Sequence, residues 1–274
     1  MPTVAEKRRR FAELHQAPGC FVAANPYDVG SAKYLASLGF PALATSSAGM
    51  AWAMGLPDGS VRRMEAMAHI RDIVAAVSVP VNADFEAGFA RDAEGVYENV
   101  KLCVGTGVAG LSIEDYPAEG GPLCALSEAV ERLRSARAAI DSTGEVVLLT
   151  ARSEAIWRPN AGGLPEALRR LEAFAEAGAD VLFAPGVKTA AEVSEVVRVA
   201  GKLPVNVVMG SPGLTREQLK DLGVKRISTG GGLGRVAWGA FMKAARDIAE
   251  HGRFDAFAGA PPAAEIQGAF GPAS

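Results

Sequence analysis

Residues 164–185 read LPEALRRLEAFAEAGADVLFAP, and this stretch decides the fold. Ala167, Leu168, Leu171, Phe174 and Ala175 recur at helical spacing on one face, while Arg169, Arg170 and Glu172 fall largely elsewhere. Gly178 then ends the helix, and Asp180 to Pro185 is a short apolar run of the kind a buried parallel strand needs. The same glycine-then-strand joint returns in SLGF (37–40), GTGVAG (105–110) and KDLGVK (220–225). Working outward, eight such runs alternate with helical segments: Cys20 to Asn25, Ala42 to Ser47, Pro80 to Glu86, Gly110 to Glu114, Glu145 to Arg152, Asp180 to Pro185, Pro204 to Met209, and Arg226 to Thr229. Eight βα units in one unbroken march imply an α/β chain folded as a (β/α)8 TIM barrel. The competing architecture, an open doubly wound sheet, would usually carry a G-x-G-x-x-G turn after its first strand. Here that strand ends Asn25-Pro26-Tyr27-Asp28, so a dinucleotide site is not expected.

The expected organisation is a single domain over 1–274, with the barrel over 20–251. A charged N-terminal helix over Met1 to Gln16 precedes it, with Arg8, Arg9 and Arg10 read as a solvated face. The tail, 252–274, is rich in Ala, Pro and Gly but also carries Phe254, Phe257 and Phe270, and is expected to pack on a neighbouring subunit. Hydrophobic residues make up 49% of the 274 and charged residues 22%, which excludes extended disorder. Lys plus Arg is 28 against 31 for Asp plus Glu, so no basic excess favours nucleic acid. No apolar run is long enough for a membrane span, and the charged start lacks the apolar core of a signal peptide. Cys20, Cys103 and Cys124 show no paired spacing and read as reduced thiols of a cytoplasmic protein.

In such a barrel the chemistry sits at the C-terminal ends of the strands. The third strand ends VNADFEAGF, where alternation would point Asp84 and Glu86 to one face. Two inward carboxylates at close range need a cation, a shared proton or a positive partner. The fourth strand ends in Glu114 and Asp115, which point oppositely, so one faces the mouth; the fifth places Arg152 on the same rim. Asp58 lies in the loop after the second strand. Oxygen-only donors beside an arginine fit an Mg²⁺ or Mn²⁺ site with an anion clamp; the alternative is a structural ring of salt bridges around Arg152.

The stretches NPYDVGSAKYLASLGFPALATSSAG, GLPDGS, PVNADFEAGF, GVAGLSIED and TARSE, in that order, resemble the isocitrate lyase and phosphoenolpyruvate mutase superfamily. The resemblance implies a (β/α)8 barrel, Mg²⁺ dependence and small 2-oxo or 2-hydroxy acid substrates. It also implies homo-oligomers, here a tetramer. The implied chemistry makes or breaks a C–C bond, or more rarely a P–C bond, next to an enolate. By this resemblance Asp84 is the direct metal ligand, Glu86 and Glu114 hold the metal through water, and Asp58 completes that shell and joins the catalytic residues. Ser46, Ser47 and the Ala48 backbone receive the substrate carboxylate, and Arg152 neutralises charge on the substrate.

The departures also count. The superfamily's lyases carry Lys-Lys-Cys-Gly-His or Lys-Arg-Cys-Gly-His on the loop after the fourth strand, where the cysteine is acid or base. Here that loop reads YPAEGGPLCALS, and Cys124 has no basic neighbour to lower its pKa. His15, His69 and His251 all fall in helices, which leaves no histidine-based triad. Asn25, Tyr27 and Asn206 are candidate pocket residues, Asn206 for substrate binding; Trp52, Met54 and Trp157 are candidate walls. The glycine-rich STGGGLG (228–234) is either an anion-binding turn or a tight entry to the last helix. Three functions remain: a Mg²⁺-dependent C–C lyase, a phosphonate enzyme, and a non-catalytic 2-oxo acid binder.

Overall fold

The structure, a computed structural model, describes residues 1–117 and 121–270. Parts of the loop after the fourth strand and of the tail therefore lie outside the described residues. The chain runs α1 (Val4–Gln16), β1 (Phe21–Ala24), α2 (Val29–Ser37), β2 (Ala42–Ala44), α3 (Ser47–Ala53), α4 (Arg63–Ala76), β3 (Val81–Asp84), α5 (Ala93–Val104) and β4 (Gly110–Glu114). It continues α6 (Leu126–Ser142), β5 (Leu148–Arg152), α7 (Gly163–Glu176), β6 (Val181–Phe183), α8 (Ala190–Ala200), β7 (Val205–Val208), α9 (Arg216–Asp221), β8 (Arg226–Ser228) and α10 (Gly232–His251). A 3-10 turn (Asp255–Gly259) and α11 (Ala263–Gly268) follow. All eight strands are parallel, and β1 pairs with both β2 and β8, closing the barrel and excluding the open sheet. The four joint glycines, Gly39, Gly107, Gly178 and Gly223, all have φ between 82° and 98°, a backbone that costs other residues strain.

The strand register defines what points inward. Asn82 and Asp84 on β3, Ser112 and Glu114 on β4, Thr150 and Arg152 on β5, Asn206 on β7, and Arg226 and Ser228 on β8 share the interior parity. Barrel interiors are usually packed with branched apolar side chains. Here the middle layer is polar. The base is closed by α1, whose Phe11 is fully buried with Phe21, Ala23 and Ala42, and stacks edge-on with Phe21 and His15. A Cβ on Gly110 would come within 2.7 Å of the Phe11 ring, so β4 needs glycine there.

Two expectations are corrected. The basic run of α1 is not one solvated face: Lys7 and Arg8 are buried, with Arg8 donating to the carbonyls of Val104 and Val108 and pairing with Glu145, while Arg9 and Arg10 are exposed. On α7, Arg170 is buried too, held 3.1 Å from Asp115. That pair turns Asp115 away from the mouth, and Glu114 takes the interior position.

Candidate active site

A cavity of about 430 Å³ opens at the C-terminal ends of the strands and descends into the barrel. Ser46, Ser47 and Ala48 line it at the start of α3, where the Ser46 side chain caps the helix by accepting from the Gly49 N–H. The Ser47 N–H donates to Asp84 Oδ2 at 2.9 Å, and the Thr45 hydroxyl accepts from the Asp84 N–H. The turn after β2 and the end of β3 are thus tied together, with Asp84 on the wall.

Arg152 is the hub. Its Nη1 lies 3.4 Å from Asp84 and 3.3 Å from Glu114, and its Nε lies 2.6 Å from Glu154. Its guanidinium also faces the rings of Trp157 and Phe183. Burial opposes its charge, but Glu114, Glu154 and Asp84 outweigh this and hold the arginine firmly protonated. Glu154, fully buried, was not singled out in the sequence; it is two residues beyond Arg152 in TARSE, the same alternation that singled out Asp84 and Glu86.

The carboxylates outnumber the cations that serve them. Burial, then Asp84 and Asp58, push the Glu86 pKa up to about 7, and Glu86 Oε1 is buried with no hydrogen-bond partner among the described residues. Burial raises the Glu114 pKa against the pull of Arg152. Desolvation and Asp84 raise that of Asp58, against Arg152 and hydrogen bonds from Gly59 and Ser47. Asp58, Asp84, Glu86 and Glu114 thus share one guanidinium. The salt-bridge ring expected as the alternative exists, but it leaves this excess of negative charge and an orphaned Glu86 oxygen. A hard, oxygen-seeking cation fits that donor set. Among the described residues no three carboxylates converge as direct ligands.

Two further expectations change. Glu86 does not continue the alternation: β3 ends at Asp84, and Glu86 sits at φ 46°. Of the four acids, only Asp84 and Asp58 line the cavity. Asn25, Asn206, Trp52 and Trp157 also line it, whereas Tyr27 and Met54 do not. Asn206 lies deeper than the mouth, its Oδ1 accepting from Arg226 and its Nδ2 donating to Ser228. The loop Ser228–Gly232 forms wall, with the Asn25 Oδ1 accepting from the N–H groups of Thr229 and Gly230. Cys124 is off the wall, its thiol pKa raised by burial and its carbonyl accepting from Arg170. Lys188, Arg226 and Arg235, none of them anticipated, also line the cavity.

The phosphoenolpyruvate phosphomutase family model matches residues 11–249. A solved structure from Burkholderia cenocepacia, described as a lyase/mutase, superposes with a TM-score of 0.93 at 41% identity over 98% of both chains. The 2,3-dimethylmalate lyase of Eubacterium barkeri is 30% identical over 81% of this chain and 78% of its own. An oxaloacetate decarboxylase of Bradyrhizobium diazoefficiens is 29% identical over 75% and 72%. With the closed barrel and the strand-end acids in place, the match across nearly the whole chain shows that it belongs to the phosphoenolpyruvate mutase/isocitrate lyase superfamily.

Proposed function

We propose that this protein is a divalent-metal-dependent lyase that makes or breaks a C–C bond in a small 2-oxo or 2-hydroxy carboxylic acid. The observation that carries this reading is the uncompensated cluster of oxygen donors beside Arg152, at the mouth of a barrel whose family and relatives include lyases. Asp84 would hold Mg²⁺, or Mn²⁺, directly, with Glu86, Glu114 and Asp58 contributing through its water shell. Bound there, the ion supplies Lewis-acid stabilisation of negative charge on the substrate's carboxylate and adjacent oxygen.

The chain's own residues do the rest. The Ser46–Ala48 turn receives the substrate carboxylate with N–H and hydroxyl donors. Arg152 neutralises charge developing on the enolate oxygen from a fixed position, with no solvent to reorganise. Asp58, whose pKa is raised by burial and by Asp84, is the group on the wall that would exchange a proton at its carboxyl. Trp52, Trp157 and Phe183 exclude water. Cys124 takes no part. Among the described residues no helix is long and apolar enough to cross a membrane; the cytoplasmic location belongs to this proposal and is supported by Cys20, Cys103 and Cys124 being free thiols.

The deciding variant is Asp84→Ala. It should abolish Mg²⁺ binding in calorimetry and all turnover, while circular dichroism stays that of the wild type. Wild-type Mg²⁺ affinity in this variant would refute the assignment. Phosphonate chemistry is the second reading, favoured by one observation: Lys188 and Arg235 add cations to the wall that a phosphonate group would use. A panel of 2-hydroxy acids, 2-oxo acids and phosphonopyruvate separates the two, and binding without any turnover would mark a non-catalytic barrel.

A further inference from the structure

Arg226 begins β8 and points into the centre of the barrel, where it is 3% exposed. Its partners are all neutral. Nε donates to Asn206 Oδ1 at 2.8 Å and Nη2 to Thr150 Oγ1 at 3.1 Å, while Nη1 stands 3.4 Å from Asn82 Oδ1 and 3.5 Å from His15 Nε2. The His15 Nδ1 is 2.8 Å from the Phe11 carbonyl, which makes it the protonated nitrogen and Nε2 the acceptor, so His15 is neutral. Burial, then Arg226 itself, hold the His15 pKa down at about 3.

A buried guanidinium without a carboxylate is costly, and buried charges are ordinarily paired. Burial alone pulls the Arg226 pKa down to about 9, with no acid opposing it. Two of its four contacts are at the long limit of a hydrogen bond, and the guanidinium has five N–H groups to place. The cavity that starts at the mouth reaches this side chain, passing Asn82, Ser112, Asn206 and Ser228. An arginine serving only as a plug would have its charge matched, or its place filled by apolar side chains.

We propose that Arg226 is the floor of a deep anion subsite, which takes the second acid group of a substrate whose first carboxylate is held at the mouth. The depth suits a four-carbon diacid. Asn82, beside the Arg226 head, is two residues below Asp84 on β3, a step of about 6.6 Å at roughly 3.3 Å per residue. Three C–C bonds of about 1.5 Å and one hydrogen bond of about 2.9 Å cover that step. A three-carbon monoacid anchored at the mouth does not reach it. Arg226 on this account selects the substrate; it performs no chemical step.

The inference rests on the proposed role of the mouth, and the test separates the two. Malate and lactate are both 2-hydroxy acids and differ by the terminal carboxylate. With Mg²⁺ present, calorimetry should show the wild-type protein binding malate at least tenfold more tightly than lactate. Arg226→Gln should weaken malate at least tenfold and leave lactate within twofold. Asn82→Asp, which supplies a carboxylate beside the guanidinium, should erase the same preference while keeping the barrel intact. Lactate binding with no malate preference in the wild type overturns the Arg226 assignment alone. So does a preference that survives in folded Arg226→Gln or, should that variant not fold, in Asn82→Asp. Failure of both acids to bind overturns the mouth reading and this inference together.

Discussion

Arg152 answers to three carboxylates, and the consequences of removing it differ from those of removing the Cys124 thiol. Truncation to Ala would leave Glu114 buried without a cation, Glu154 with only the 3.4 Å contact to Arg158, and the substrate charge without the guanidinium at the mouth. Arg152→Ala should therefore lose at least about a hundredfold in kcat/KM. Cys124, off the cavity wall with a raised pKa, should tolerate Ser with a loss of less than about tenfold. Steady-state assays with the best-turned-over acid compare them, and a larger loss in Cys124→Ser would restore a cysteine mechanism. His15 gives a pH prediction. Its folded-state pKa, about 3, lies below the ordinary histidine value of 6.5, so between these values the unfolded chain binds the extra proton. Stability should be unaffected by His15 above about pH 6.5 and fall by up to about 1.4 kcal/mol per pH unit below it. Urea melts of His15→Gln should lack that component of the slope. At this scale, Asp84, Arg152 and the Ser46–Ala48 turn were legible because they stand at strand ends, where alternation and motif agree. Glu154 was within reach of the same alternation. Arg226 was not: a charged residue opening a short apolar run carries no sign of whether it faces the interior or solvent.

Among the elements, the strands were readable because parallel strands covered on both faces must be apolar. The sequence overran several of them by a residue or more: β3 stops at Asp84, two short of the expected Glu86, once the backbone turns left-handed there. Helix α1 was the element least legible in function, since a run of Lys and Arg looks the same whether it meets water or the carbonyl ends of a neighbouring helix. Arg8 meets one such end, at Val104, and the Val108 carbonyl in the loop beyond it. Arg8→Ala should cost about 2–4 kcal/mol by leaving buried carbonyls unpaired, whereas Arg9→Ala, exposed on the same helix, should stay within about 0.5 kcal/mol. Chemical denaturation of the pair is the check. Equal losses would mean that α1 seals the barrel by its apolar side chains alone.

At the scale of the whole molecule, α10 is the anomaly. Of its 20 residues only Gly234 is buried, and Val236, Trp238, Phe241 and Met242 are exposed, as are Phe254 and Phe257 beyond it. A helix with an apolar face normally covers it, and a second copy of this chain is the partner proposed here, in a tetramer. Light scattering at micromolar concentration should give a mass of four chains, and Phe241→Glu should reduce it; a wild-type monomer would refute the assembly. The closed base carries a different consequence. With Phe11 and His15 stopping the bottom of the barrel, the shaft is blind, and whatever enters by the mouth leaves by it. Two fragments of a cleaved substrate must then share one door. The piece nearer the opening goes first, and the piece on the floor waits behind it, competing with the next substrate until it too has gone.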